Sequence, residues 1–86
     1  MRGEKIRMRD KILDLLAEIC ESDEVKENTG TELFQSGLLD SLGFAEFLVE
    51  LEEETGIVIS PSEVVREDID TPEKIVAMAL GRSTRG

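Results

Sequence analysis

Between positions 42 and 55 apolar residues recur at helical spacing on two sides of the same helix. At 100° per residue, Phe44, Phe47, Leu48, Leu51 and Thr55 fall on one face. Leu42, Ala45 and Val49 fall opposite, together with Glu46 and Glu53. The first face carries both aromatic rings and is expected to pack on a core. The second face of a lone amphipathic helix should be wholly polar, yet here three apolar residues stand among Glu46, Glu50, Glu52 and Glu53. Scattered exposed apolar side chains are common, but a small apolar patch with an acidic rim also has the make-up of a docking face.

The ends of this helix are legible from local chemistry. Asp40 can accept a hydrogen bond from an unsatisfied backbone N–H and suits the positive end of the helix dipole, so it reads as the N-cap. Ser41 then occupies the first helical position with its side chain outward. Gly56 is the expected stop. Upstream, Ile6, Ile12, Leu13, Leu16, Ile19 and Cys20 recur at helical spacing and predict a first helix over 4–21, with Arg7, Lys11, Asp14 and Glu18 on its wet side. Residues 22–37 read as a long connection containing Asn28, Gly30 and Ser36, pinned to the core by Leu33 and Phe34. A loop this long in a small domain tends to be functional.

After Gly56, the run Ile57-Val58-Ile59 has no second strand to pair with and reads as an extended apolar connector. Ser60-Pro61-Ser62-Glu63 has the form of a capping box with proline at the first helical position, predicting a short third helix to about residue 67. Thr71-Pro72 repeats the start signal for a last helix to about Leu80, buried through Ile75, Val76, Ala79 and Leu80 and ended by Gly81. The expected fold is all-α, three longer helices and a short one around a single core that includes Leu13, Leu16, Phe34, Phe47, Leu51 and Ile75. Residues 1–81 form one domain, and 82–86 are expected to be a disordered tail.

Charge and composition narrow the chemistry. The net charge of −10 argues against a nucleic-acid partner, because phosphate neutralisation needs Lys and Arg. Nine acidic residues and no basic one lie between Lys26 and Arg66, a field suited to a basic partner surface or simply to solubility. With no His, imidazole catalysis and imidazole metal ligation are excluded. The single cysteine, Cys20, cannot form an internal disulfide and reads as a small buried hydrophobe. Asp68-Ile69-Asp70 lacks the further ligands and glycine of a calcium loop, so no metal site is expected. No apolar run is long enough for a membrane span, and the basic start lacks the apolar core of a signal peptide. The chain has the composition of a substrate for enzymes rather than of an enzyme.

Gly37-Leu38-Leu39-Asp40-Ser41-Leu42, followed by an acidic helix in a domain of this size, resembles the attachment motif of acyl and peptidyl carrier proteins. That resemblance covers nearly the whole chain and implies an acyl-carrier-protein-like four-helix bundle. It also implies 4′-phosphopantetheine, derived from coenzyme A, attached to the Ser41 hydroxyl through a phosphodiester. Asp40 would cap the helix and present Ser41. Leu42, Ala45, Glu46, Val49 and Glu53 would meet partner enzymes. Glu18-Ile19-Cys20, Asp23-Glu24-Val25, Glu27-Asn28, Leu33-Phe34, Ser62-Glu63, Arg66 and Asp70-Thr71-Pro72 with Lys74-Ile75 are similar to the D-alanyl carrier proteins. In that family aromatic residues are usual where this chain has Val64 and Ile69, and asparagine is common where it has Glu73.

The family resemblance implies a cytoplasmic, monomeric carrier that serves teichoic acid D-alanylation in cell-wall synthesis. Its partners would be a phosphopantetheinyl transferase, an adenylate-forming D-alanine ligase and a membrane-bound acyltransferase system. Three alternatives stand beside it: a carrier for fatty-acid or polyketide chains, a carrier for another amino acid, and a helical adaptor with no prosthetic group. A long acyl chain needs a cavity among the helices, and Phe34, Phe44 and Phe47 are candidates to fill that space.

Overall fold

A computed structural model of the chain describes residues 7–83. Among them are four α-helices, α1 (Met8–Cys20), α2 (Glu24–Glu27), α3 (Ser41–Thr55) and α4 (Pro72–Ser83). Two 3-10 turns, Pro61–Glu63 and Arg66–Asp68, lie between α3 and α4, and there is no strand among the described residues. The all-α bundle follows from the sequence pattern.

The hub is α1, against which α2, α3 and α4 all pack. It buries Ile12, Leu13, Leu15, Leu16 and Ala17. That stripe is broader than the sequence pattern predicts, because a helix with three neighbours needs apolar cover over more of its circumference. Ile19 and Cys20 are half-buried at its edge. The predicted start at residue 4, and Ile6 with it, lie outside the described residues. At the other end Glu21 takes a left-handed conformation, φ 56°, and Ser22 N–H donates to the Ala17 carbonyl at 3.1 Å. This closes the helix as a glycine ordinarily would.

The connection from α1 to α3 contains the single-turn α2, which the sequence reading leaves as loop. Its Val25 is fully buried. The rest of the connection is tied to the far side of the molecule by backbone bonds: Leu33 N–H donates to the Asp70 carbonyl at 2.8 Å, and Glu73 N–H to that of Thr29 at 3.0 Å. Leu33 is fully buried, as expected, but Phe34 is only half-buried and stays at the rim of the core. The other five predicted core residues, Leu13, Leu16, Phe47, Leu51 and Ile75, are all buried.

Downstream of α3, Ile57 and Ile59 are buried and Val58 is exposed, an extended connector with no strand partner. The predicted capping box does not form. The Ser60 and Ser62 hydroxyls lie 3.0 Å apart, and the Glu63 carboxylate pairs with Arg82 of α4 instead of reaching back to the Ser60 N–H. Val64 and Val65 are extended, with φ of −121° and −113°. These β-branched residues split the expected short helix into the two 3-10 turns. The Thr71-Pro72 signal does open α4, where the Thr71 hydroxyl accepts from Lys74 N–H at 3.2 Å. Gly81 does not stop α4, which continues to Ser83 with Arg82 anchored on Glu63. The remainder of the predicted tail, 84–86, lies outside the described residues.

Candidate functional site

The site is built where the long connection turns into α3. Asp40 is extended (φ −125°, ψ −178°), and its Oδ1 accepts a hydrogen bond from Gly43 N–H at 2.7 Å. Its backbone carbonyl accepts from Phe44 N–H at 2.8 Å. The N-cap is thus formed by both side chain and main chain, as the sequence implies. Gly43 makes the close approach possible: a Cβ there would stand 3.1 Å from Leu39 Cδ1 and 3.2 Å from Asp40 Oδ1. Buried Leu39 therefore presses the end of the connection onto the first turn of α3.

Ser41 is the first residue of α3 and is exposed. No described residue takes a hydrogen bond from its hydroxyl or gives one to it, so the oxygen is free for chemistry supplied from outside. A rigid helix start fixes its position, whereas a serine within a loop would wander.

Beyond Ser41 the two faces of α3 separate as the periodicity predicts. Phe44, Phe47, Leu48 and Leu51 are buried, with the Phe44 and Phe47 rings stacked at 6.3 Å between centroids. Leu42 is 70% exposed and Val49 57% exposed, and Ala45, Glu46 and Glu53 are exposed beside them. The five expected contact residues thus share one accessible face, apolar along its axis and acidic at its rim.

The structure adds a feature that the sequence reading missed. A groove of about 220 Å³ opens beside Ser41, lined by Phe34, Phe44, Ala45, Pro61, Val64, Arg66 and Ile69. The Arg66 guanidinium lies over the Phe34 ring, 4.4 Å from its centroid. The elements that form this wall are far apart in the chain, so the only sequence signal was Arg66 itself, the first basic residue after Lys26. Val64 and Ile69, both departures from the family's usual aromatic residues, lie in this wall.

Glu73, the third departure, is accounted for by α1. Arg9 grips its carboxylate with two hydrogen bonds, of 2.9 and 3.1 Å. The hydrogen bond from Arg9 holds the Glu73 carboxyl below its ordinary range, and the same bond raises Arg9. Both side chains are open to solvent, 39% exposed for Arg9 and 55% for Glu73, so solvent screens the pair. Cys20 is half-buried rather than fully buried, and desolvation pushes its thiol up to about 11. It stays protonated near neutral pH and is a poor nucleophile. Among the described residues, no cluster of His, Cys, Asp or Glu could hold a metal ion, and no helix is long and apolar enough to cross a membrane.

Comparison with known proteins adds independent findings. A family model described as the phosphopantetheine attachment site matches residues 10–79. The chain is 47% identical over 75 residues to the D-alanyl carrier protein of Abiotrophia defectiva, covering 87% of this chain and 95% of that protein. It is 44% identical over 71 residues to that of Bacillus velezensis, covering 83% and 91%. Against that of Lacticaseibacillus rhamnosus it is 43% identical over 70 residues, covering 81% and 86%.

Proposed function

Because the chain belongs to the phosphopantetheine-attachment family, among the D-alanyl carrier proteins, we propose that Ser41 is its attachment residue and that its cargo is D-alanine. The protein is a carrier with covalently bound 4′-phosphopantetheine, acted on by separate enzymes. When bound, the group supplies a flexible thiol that holds a carboxylic acid as a thioester, activated toward nucleophiles.

The chain's own residues present and position. Inside a phosphopantetheinyl transferase, Ser41 Oγ would bond to the β-phosphate of coenzyme A as the pyrophosphate link breaks and adenosine 3′,5′-bisphosphate leaves, the serine proton passing to a base of the transferase, in keeping with a chain that has no His. Asp40 holds the first turn of α3 through its 2.7 Å bond to Gly43, which keeps Ser41 at the helix mouth. Exposed Leu42, Ala45 and Val49 offer apolar contact to the partners, and Glu46 and Glu53 steer basic surfaces toward it. Phe47 is fully buried and stacked on Phe44, which favours a small cargo over a long acyl chain lodged between the helices.

The partners in this reading are an adenylate-forming D-alanine ligase that loads the thiol and a membrane-bound acyltransferase system that receives the aminoacyl group. Arm attachment and loading belong in the cytoplasm, because their co-substrates, coenzyme A and ATP respectively, are made there. The observation that carries the reading is an exposed serine fixed at the first position of a capped helix, beside an accessible apolar and acidic face. Incubation with coenzyme A and a broad-specificity transferase should add one phosphopantetheine mass, and Ser41→Ala should add none. A normal mass gain in that variant would overturn the assignment of Ser41. Holo protein with the D-alanine ligase, ATP and equal amounts of D- and L-alanine should form a D-alanyl thioester in preference to an L-alanyl one, and equal loading would remove the D-alanine assignment.

A further inference from the structure

Acidic side chains outnumber basic ones two to one in this chain, 20 against 10, so a cation should find a carboxylate easily. Five of the seven cations among the described residues do: Arg9 with Glu73, Lys11 with Glu54, Lys26 with Asp14, Lys74 with Asp70, and Arg82 with Glu63. Arg66 is held differently. Its guanidinium rests on the face of the Phe34 ring, and no described carboxylate pairs with it. It is also the sole charged side chain in the wall of the groove that opens at Ser41.

We propose that Arg66 is the receptor for the phosphodiester that joins the arm to Ser41, so that the first segment of the arm rests in this groove. The inference deepens the reading of Ser41 as the attachment residue and rests on it. A phosphodiester on Ser41 Oγ adds a negative charge directly beside Asp40, and repulsion between the two needs a counter-charge. Stacking on Phe34 fixes the guanidinium by one face and leaves its edge N–H groups free to meet phosphate oxygens in a forked arrangement. The remaining wall, including Phe44, Val64 and Ile69, is apolar and suits the branched hydrocarbon next to the phosphate. At roughly 30 Å³ per water molecule, the groove of about 220 Å³ has the volume of about seven waters, room for a short segment of the arm beside Ser41.

The test compares isotope-labelled apo and holo protein by NMR, with attachment itself read separately by mass. In the wild type, attachment should shift the Phe34 ring, the Val64 and Ile69 amides and the Arg66 Nε–Hε group, in addition to residues next to Ser41. In holo Arg66→Gln the ratio of docked to free arm should fall by roughly fivefold or more, the loss of one charge-assisted hydrogen-bonded contact. The distant shifts should shrink accordingly and the phosphodiester ³¹P resonance should move. Arg66→Lys keeps the charge without the planar fork and should fall between. For the wild type alone, raising the salt from about 0.05 to about 0.5 M should return the Phe34 and ³¹P signals toward their undocked positions, a readout that does not depend on any variant folding. Arm attached normally, with Phe34 and ³¹P signals indifferent to both salt and Arg66→Gln, would overturn this proposal and leave the Ser41 reading intact. Failure of the arm to attach to the wild type at Ser41 would overturn both.

Discussion

The rotation of α3 about its own axis decides which side chains partners can touch, and Leu51→Ala paired with Val49→Ala measures it. Leu51 is fully buried and Val49 is 57% exposed, two positions apart on the same helix. Leu51→Ala removes three carbons, and at about 0.8 kcal/mol per buried methylene the transfer part alone is about 2.4 kcal/mol. The cavity left behind raises the cost to roughly 3–5 kcal/mol, because packing from α1 restricts collapse around the site. A domain of 86 residues has a total stability of about 4–13 kcal/mol, so this single change removes a large share of it. With an unfolding entropy of about 0.18 kcal/mol/K for this length, a loss of 3 kcal/mol lowers Tm by about 17 °C. Val49→Ala gives up little buried surface and should stay within about 0.5 kcal/mol of the parent. Thermal and urea unfolding of the apo proteins, followed by circular dichroism, reads both changes. Similar losses in the two variants would mean that α3 is rotated away from the described orientation, and the contact face opposite Leu51 would have to be redrawn.

Val49→Asp should leave the fold within about 0.5 kcal/mol of the parent but lower loading by the D-alanine ligase severely, since a charge is placed where an interface core would desolvate it; normal loading kinetics would remove Val49 from the contact face. Glu73 titrates below its ordinary value of 4.5 because Arg9 binds its ionised form, so its contribution to stability is present above that value and lost as pH falls through the depressed one. Glu73→Gln should therefore flatten the Tm profile on the acid side relative to the parent, and coincident profiles would show that the Arg9 pair has no effect on folding. Gly81→Ala should stabilise the domain by about 0.5–1 kcal/mol in urea unfolding, because Gly81 lies within α4 and an added Cβ meets nothing within 4 Å; destabilisation would contradict the helical course of the chain beyond Leu80.

Much of the site is legible in the sequence because its parts are neighbours. Asp40 caps a helix that begins one residue later, Gly56 closes it one residue after its end, and the alternation of faces between them is a property of a single helix. Each rests on interactions spanning three or four residues, and those can be read from the residues themselves. The signals that misled were local ones outbid from a distance. Ser60-Pro61-Ser62-Glu63 contains a sound capping box, yet Glu63 is taken by Arg82, 19 residues later. Gly81 is a sound stop signal, yet the same contact holds the following turn to the bundle.

The sequence alone thus determined the helix that presents Ser41, the residue that caps it and the two-sided character that makes one face a core and the other a contact surface. Tertiary structure decided the breadth of the buried stripe on α1, because the number of helices packing on it is not a property of α1 itself. It also decided that Phe34 from the long connection, Phe44 from α3 and Arg66 from the turn before α4 meet in one groove. Such a meeting depends on how the connections close, through bonds such as Leu33 to Asp70 and Glu73 to Thr29. No spacing within the chain encodes it, since the distance between two residues in sequence fixes their distance in space only while they share an element.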